Sequence, residues 1–129
     1  MILYRPVGLN ELLLIAQTDF KAFPSRLPEQ PFFYPVLNFE YAEQIARDWN
    51  TKQPPFAGFV TRFEVEQEYA EKFDIHVVGA RIHQELWVPA EELSVFNLRI
   101  VGRIEIIASY YGDEVVGTVD PNTKLPILP

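Results

Sequence analysis

The stretch Ala80-Arg81-Ile82-His83-Gln84-Glu85-Leu86-Trp87-Val88-Pro89 decides how this chain is read. Side chains alternate faces along a strand, so Ile82, Gln84, Leu86 and Val88 share one face. His83, Glu85 and Trp87 share the other. A carboxylate between an imidazole and an indole is costly on a buried strand face without partners. It is readily accommodated on a face that lines a cleft. A second short strand, Ile2-Leu3-Tyr4-Arg5-Pro6-Val7-Gly8, carries an arginine near its end. Together the two stretches predict a small ligand-binding α+β domain.

The chain has 129 residues, the size of one domain, and 48% of them are hydrophobic. That is enough to build a core without disulfides or metals. It contains no cysteine, which removes disulfides, thiolate nucleophiles and most structural zinc sites together. The N-terminus has no secretory leader pattern, and no apolar run approaches membrane-spanning length. A cytoplasmic protein is the expectation. The net charge of −7 argues against a general nucleic-acid surface, which needs a basic stripe.

Periodicity places a helix over 10–18, capped by Asn10, with Glu11 in its first turn and an apolar stripe of Leu12, Leu13, Ile15 and Ala16. The run 20–31 holds three prolines and reads as a loop. Its Phe20, Phe23 and Leu27 predict that it packs down on the domain. Residues 32–36 read as a strand, with Pro35 marking an edge or bulge. Asn38 caps a second helix over 39–49, with Phe39, Ala42, Ile45, Ala46 and Trp49 on its inner face. Residues 59–65 alternate as a strand, with Arg62 and Glu64 as a solvated or cross-strand pair. A short helix follows near 67–73, then a strand over 75–78, a turn or a bulge between two strand segments at Gly79, a helix over 90–97 and a strand over 100–110 with a bulge near Gly102. The tail 111–129 carries the turn signal Asp120-Pro121-Asn122. Its Leu125, Ile127 and Leu128 predict docking on the chain's own core or on a neighbouring subunit of a symmetric dimer.

Familiar catalytic constellations are absent from the sequence. His76 and His83 have no compact metal-ligand motif around them. Ser25, Ser94 and Ser109 lack a nucleophile-elbow context, and no glycine-rich phosphate loop occurs. The remaining candidates are Arg5, Tyr34, His83, Gln84 and Glu85, with Lys21 and Arg26 on the proline-rich loop. Arg5 can fork onto a phosphate or ribose, or form a rim ion pair. Tyr34 can stack on a planar base, or stand as a half-buried strand aromatic. Glu85 can bind sugar hydroxyls and steady a cation, or pair with Arg81, Arg62 or Arg103.

The words Leu3-Tyr4-Arg5-Pro6-Val7-Gly8, Phe33-Tyr34-Pro35-Val36-Leu37-Asn38 with Glu40-Tyr41-Ala42, Gly58-Phe59-Val60-Thr61-Arg62-Phe63 and His83-Gln84-Glu85-Leu86-Trp87-Val88-Pro89 span most of residues 3–107. In them the chain resembles small uncharacterised bacterial proteins labelled "ADP-ribosylation/crystallin J". The order of strand-arginine, strand-tyrosine and late strand-glutamate looks like a minimal ADP-ribosyltransferase. That resemblance implies a cleft between two small sheets that takes NAD as substrate. It implies that Arg5 orients the nicotinamide ribose, that Tyr34 packs near the nicotinamide, and that Glu85 steadies the oxocarbenium-like transition state. His83, Gln84 and Arg26 would join in holding the dinucleotide. The family's spaced Gln-x-Glu or Glu-x-Glu pair stands here as adjacent Gln84 and Glu85, and Pro6 removes a backbone donor beside the arginine. The expected function is ADP-ribosyl transfer or NAD cleavage. The alternatives are a non-catalytic nucleotide, ADP-ribose or protein binding module on the same fold, or a structural subunit completed by its apolar tail.

Overall fold

A computed structural model describes residues 1–79 and 83–113, together with the backbone of 118–119 and 126–127. The chain is α+β. Strand β1 (Ile2–Gly8) leads directly into helix α1 (Leu9–Gln17). After the proline-rich loop come β2 (Phe32–Phe33), helix α2 (Phe39–Asp48), a 3-10 turn at Asn50–Lys52 and β3 (Ala57–Val65). Helix α3 (Gln67–Ala70), β4 (Ile75–Val77), β5 (Gln84–Leu86) and β6 (Val88–Pro89) follow. A 3-10 turn at Ala90–Glu92 runs into α4 (Leu93–Leu98) and β7 (Ile100–Tyr111). The short strands β8 (Thr118–Val119) and β9 (Pro126–Ile127) pair antiparallel. The turn expected at Asp120-Pro121-Asn122 and the docking of Leu125, Ile127 and Leu128 lie outside the described residues.

The main sheet is antiparallel in the order β1-β3-β7. β3 is central, and residues 57–61 are buried on both faces, while Arg62 and Glu64 bring one face of its second half to solvent. On one side Phe59, Phe63 and Val65 meet Leu3, Val7, Phe23, Phe33, Leu93 and Phe96. Here α1 contributes Leu9, Leu12 and Ile15, all essentially buried. Burying each such side chain contributes roughly 1.5–3 kcal/mol, so the N-terminal helix is held by its apolar face. On the other side Val60 joins Val36 and the small Ala42 and Ala46 of α2. Gly58 makes this close approach feasible: a Cβ there would stand only 2.1 Å from the Ala46 carbonyl oxygen.

The second helix begins as its sequence predicts, with the Asn38 carboxamide oxygen accepting from the Tyr41 N–H at 2.8 Å. The first helix differs. It starts at Leu9 behind Gly8 rather than behind Asn10, because Leu9 is itself drawn into the core. The strand expected over 32–36 pairs with β6 only at Phe32 and Phe33. Pro35 has no N–H to give, and its carbonyl accepts from the Leu86 N–H at 2.9 Å instead. The loop 20–31 packs down through Phe23, whose ring centroid lies 5.1 Å from Phe33 and 4.8 Å from Phe63. The Asn97 carboxamide clamps it, accepting from the Phe23 N–H and donating to the Phe23 carbonyl. Leu27, expected to pack with it, is exposed. Trp49, expected on the inner face of α2, is 63% exposed because the helix ends at Asp48 and turns into the 3-10 segment. Arg62 pairs across to Glu105 of β7 at 3.5 Å rather than along its own strand to Glu64. The bulge near Gly102 is present as a register shift between β3 and β7, with Gly102 at φ 77°.

Candidate functional site

Single bridges at Tyr4↔Val36 and Val36↔Glu85 carry the ladder from β1 across to β5, which pairs with the outer strand β4. The sequence words that begin at Leu3, Phe33 and His83 therefore lie side by side. On this edge of β1 the pairing stops at Tyr4, and Arg5–Gly8 bond to β3 alone. A cavity of about 540 Å³ opens beside them, lined by Arg5, Glu11, Arg26, Tyr34, Glu85 and Gly8 among others. Arg26 and Gln30 bring the proline-rich loop to its wall. Four of the sequence-predicted residues, Arg5, Arg26, Tyr34 and Glu85, thus meet at one concave site.

They reach it from different sides of the sheet. Arg5 shares its strand face with buried Leu3 and Val7. Its guanidinium lies 4.7 Å from the Phe33 ring centroid. Nε and Nη2 donate to the two oxygens of Glu11, at 2.6 and 3.0 Å. This is the fork-to-carboxylate geometry that arginine favours. With side chains only 12% and 24% exposed, the pair is more tightly held than a rim ion pair. Arg26 donates from Nε to the Phe32 carbonyl at 2.9 Å. Burial, and then the charge of nearby Arg5, lower its affinity for its proton. No carboxylate within ion-pair distance neutralises Arg26 among the described residues. Beside the two arginines, α1 begins behind Gly8 with no side-chain cap on its first-turn N–H groups.

Glu85 is held by donors on both oxygens. The Tyr41 hydroxyl donates to Oε1 at 2.5 Å and the Trp87 indole N–H to Oε2 at 3.2 Å. Of the arginines the sequence offered as partners, Arg62 pairs with Glu105 and Arg103 with Asp19, and Arg81 lies outside the described residues. Burial and the Glu85 carboxylate together push the Tyr41 phenol far above its ordinary range, so it stays a donor. A carboxylate held by a phenol and an indole still has lone pairs for further donors. Around it stand the rings of Trp87, Tyr34 and Phe32, with centroid separations of 5.4–6.0 Å. His76 stacks on Trp87 at 3.9 Å. The rings of Phe32, His76 and Trp87 border a separate groove of about 530 Å³ that also takes in Lys72, Asp74 and Glu92.

His83 and Gln84, expected to help hold the dinucleotide, are not brought to the cavity. His83 stacks on Tyr41 at 4.4 Å, with its ring nitrogens 3.1 Å from the Val78 carbonyl and 3.0 Å from the Gln44 carboxamide. It braces the tyrosine that braces Glu85. The Gln84 backbone carbonyl accepts from the Leu37 N–H, and strand alternation turns its side chain away from the Glu85 face. Lys21 lines a different, mostly apolar hollow with Leu98 and Ile100.

Sequence reasoning passed over Glu11, Tyr41, Trp49 and Asn50. Glu11 stands six residues after Arg5 across a strand-to-helix turn, a spacing with no fixed geometry. Tyr41 sits one turn inside a capped helix whose apolar face was otherwise complete without it. Its position in the third helical residue, aimed back toward the strand, was the available signal.

Comparison with protein-family models, with curated proteins and with solved structures finds no match to this chain.

Proposed function

We propose that the cavity beside β1 binds an NAD-type dinucleotide as substrate, and that Glu85 promotes cleavage of its nicotinamide–ribose bond on an ADP-ribosyltransferase-like scaffold. The observation that carries this reading is the meeting of Arg5, Arg26, Tyr34 and Glu85 at one concave site. The residues present suit such a molecule. Unneutralised Arg26 and the uncapped first turn of α1 favour phosphate oxygens. Tyr34 offers a ring for a planar group, and Glu85 offers acceptors for ribose hydroxyls.

The chemistry follows from the charge that develops. When the glycosidic C–N bond breaks, its electron pair leaves with nicotinamide, and positive charge spreads over the ribose. A carboxylate already oriented by Tyr41 and Trp87 stabilises that charge more in the transition state than in the ground state. Water or an acceptor hydroxyl then forms the new bond at the same carbon and gives its proton to solvent. A second reading, binding without turnover, is favoured by one observation: the Nε/Nη2 fork of Arg5 is already taken by Glu11.

Calorimetry with NAD and an assay of nicotinamide release separate the two. Glu85→Gln keeps the shape and the Tyr41 contact but deletes the charge. NAD binding should persist in this variant while release falls by roughly 100-fold or more, the scale of one preorganised electrostatic group. ADP-ribose binding with no release by the wild-type protein establishes the binding module instead. No binding of either compound ends both readings.

A further inference from the structure

The strongest unassigned feature lies at the other end of the same cavity, where helix α2 gives way to the 3-10 turn. Trp49 is 63% exposed there. Among the described residues it makes no ring contact of the kind that engages Trp87. It lines the cavity with Ile45, one helical turn before it. An exposed indole beside an aliphatic side chain at the mouth of a cavity is a ready platform for a planar partner.

The next residue supplies a hydrogen-bonding edge. The Asn50 carboxamide oxygen is buried and has no hydrogen-bond partner. It is the one such side-chain atom among the described residues. Asn50 lines the same cavity, and its Nδ2 lies 3.9 Å from where a Cβ on Gly8 would stand, at the start of α1. Buried acceptors are normally satisfied. The terminal torsion of an asparagine is soft and roughly two-fold, so rotation about it presents the oxygen to a donor entering the cavity.

We infer that Trp49 and Asn50 form a base subsite: the Trp49 indole stacks on an adenine-type base, and the Asn50 oxygen accepts from its exocyclic amino group. Gly8 and the first turn of α1 adjoin Asn50, which places the phosphate-binding end next to the base. This inference rests on the dinucleotide reading above and assigns the end of the ligand farther from Glu85. It also selects among bases, because hypoxanthine presents a carbonyl where adenine presents an amine.

The test compares ligands on the intact chain by calorimetry and by quenching of tryptophan fluorescence. The probes are ADP-ribose, its inosine counterpart, and nicotinamide mononucleotide, which has no adenine. Trp49 is exposed, so Trp49→Ala leaves the core untouched. Losing one base–aromatic stack weakens binding by roughly 5- to 150-fold. That loss is expected for ADP-ribose with Trp49→Ala, with nicotinamide mononucleotide unchanged. The wild-type protein should bind ADP-ribose more tightly than the inosine compound, a comparison that requires no variant. Equal binding of the two, or a Trp49→Ala effect of the same size on nicotinamide mononucleotide, overturns the subsite while leaving the cleft standing. Failure of all three probes to bind overturns the subsite and the cleft together.

Discussion

Gly58→Ala adds one methyl group at the place where α2 lies on β3, and the sign of its effect tests the packing that positions the site. Gly58 is not in the left-handed region of backbone space, so alanine can adopt its conformation. On backbone grounds alone the change would stabilise the protein by about 0.4–1 kcal/mol, through a less flexible unfolded chain. The structure demands the opposite. The new Cβ would stand 2.1 Å from the Ala46 carbonyl oxygen, and 2.8 Å from both the Ala46 carbonyl carbon and the Asn50 Cβ. Two of these three atoms are helix backbone, which no rotamer change can move. Relief needs α2 to shift outward by about 1 Å, and overpacking of this kind costs roughly 1–3 kcal/mol. The shift would carry Trp49 and Asn50 with it. Urea unfolding should show a lower midpoint at unchanged slope, with a net loss of about 1–2.5 kcal/mol, since a clash with helix backbone falls in the upper part of the overpacking range and the backbone gain offsets part of it. A variant as stable as the parent or more so would refute the close approach of α2 to β3.

Phe96 is fully buried among Phe33, Phe63, Tyr69 and Phe73. Phe96→Ala should cost about 3–5 kcal/mol in the same assay, and a loss under about 1 kcal/mol would argue against this core. Stability should also fall at high pH. Burial, and then the bond donated to Glu43, push the Tyr110 phenol up to about 12, and burial with a bond to Glu92 does the same for Tyr69. Both protonated forms are favoured by the fold, so their contribution is complete below the unfolded pKa of about 10. It is lost as pH rises from there to about 12, because the unfolded chain releases its protons first. Ultraviolet titration of the phenols in folded and urea-unfolded protein checks this, and coincident curves would count against both bonds.

Much of the architecture was legible because apolar periodicity and capping agree with the final packing. The Asn38 cap, the Ala42/Ala46 face and the alternation of residues 59–65 each point one way. Glu85 was legible as an oddity, since a carboxylate facing an indole two residues away demands partners. Its actual partners were not, because Tyr41 is 44 residues distant and only the bridge through Val36 brings α2 over β5. Trp49 misled for a local reason. Helical periodicity continues to residue 49, but the helix does not, and the side chain turns outward where the 3-10 segment begins. Arg5 was legible as a strand-end cation, whereas its capture by Glu11 depended on α1 starting at once behind Gly8.

The central claim is that the cavity beside β1 takes a dinucleotide, and backbone amide and indole N–H chemical shifts recorded during a titration with NAD test it most directly. The account predicts saturable shifts at Arg5, at residues 7–11, at Tyr34, Val36 and Glu85, and at the indole of Trp49. Shifts confined to the separate groove of Phe32, His76, Trp87 and Glu92, or no shifts at millimolar NAD, would contradict it.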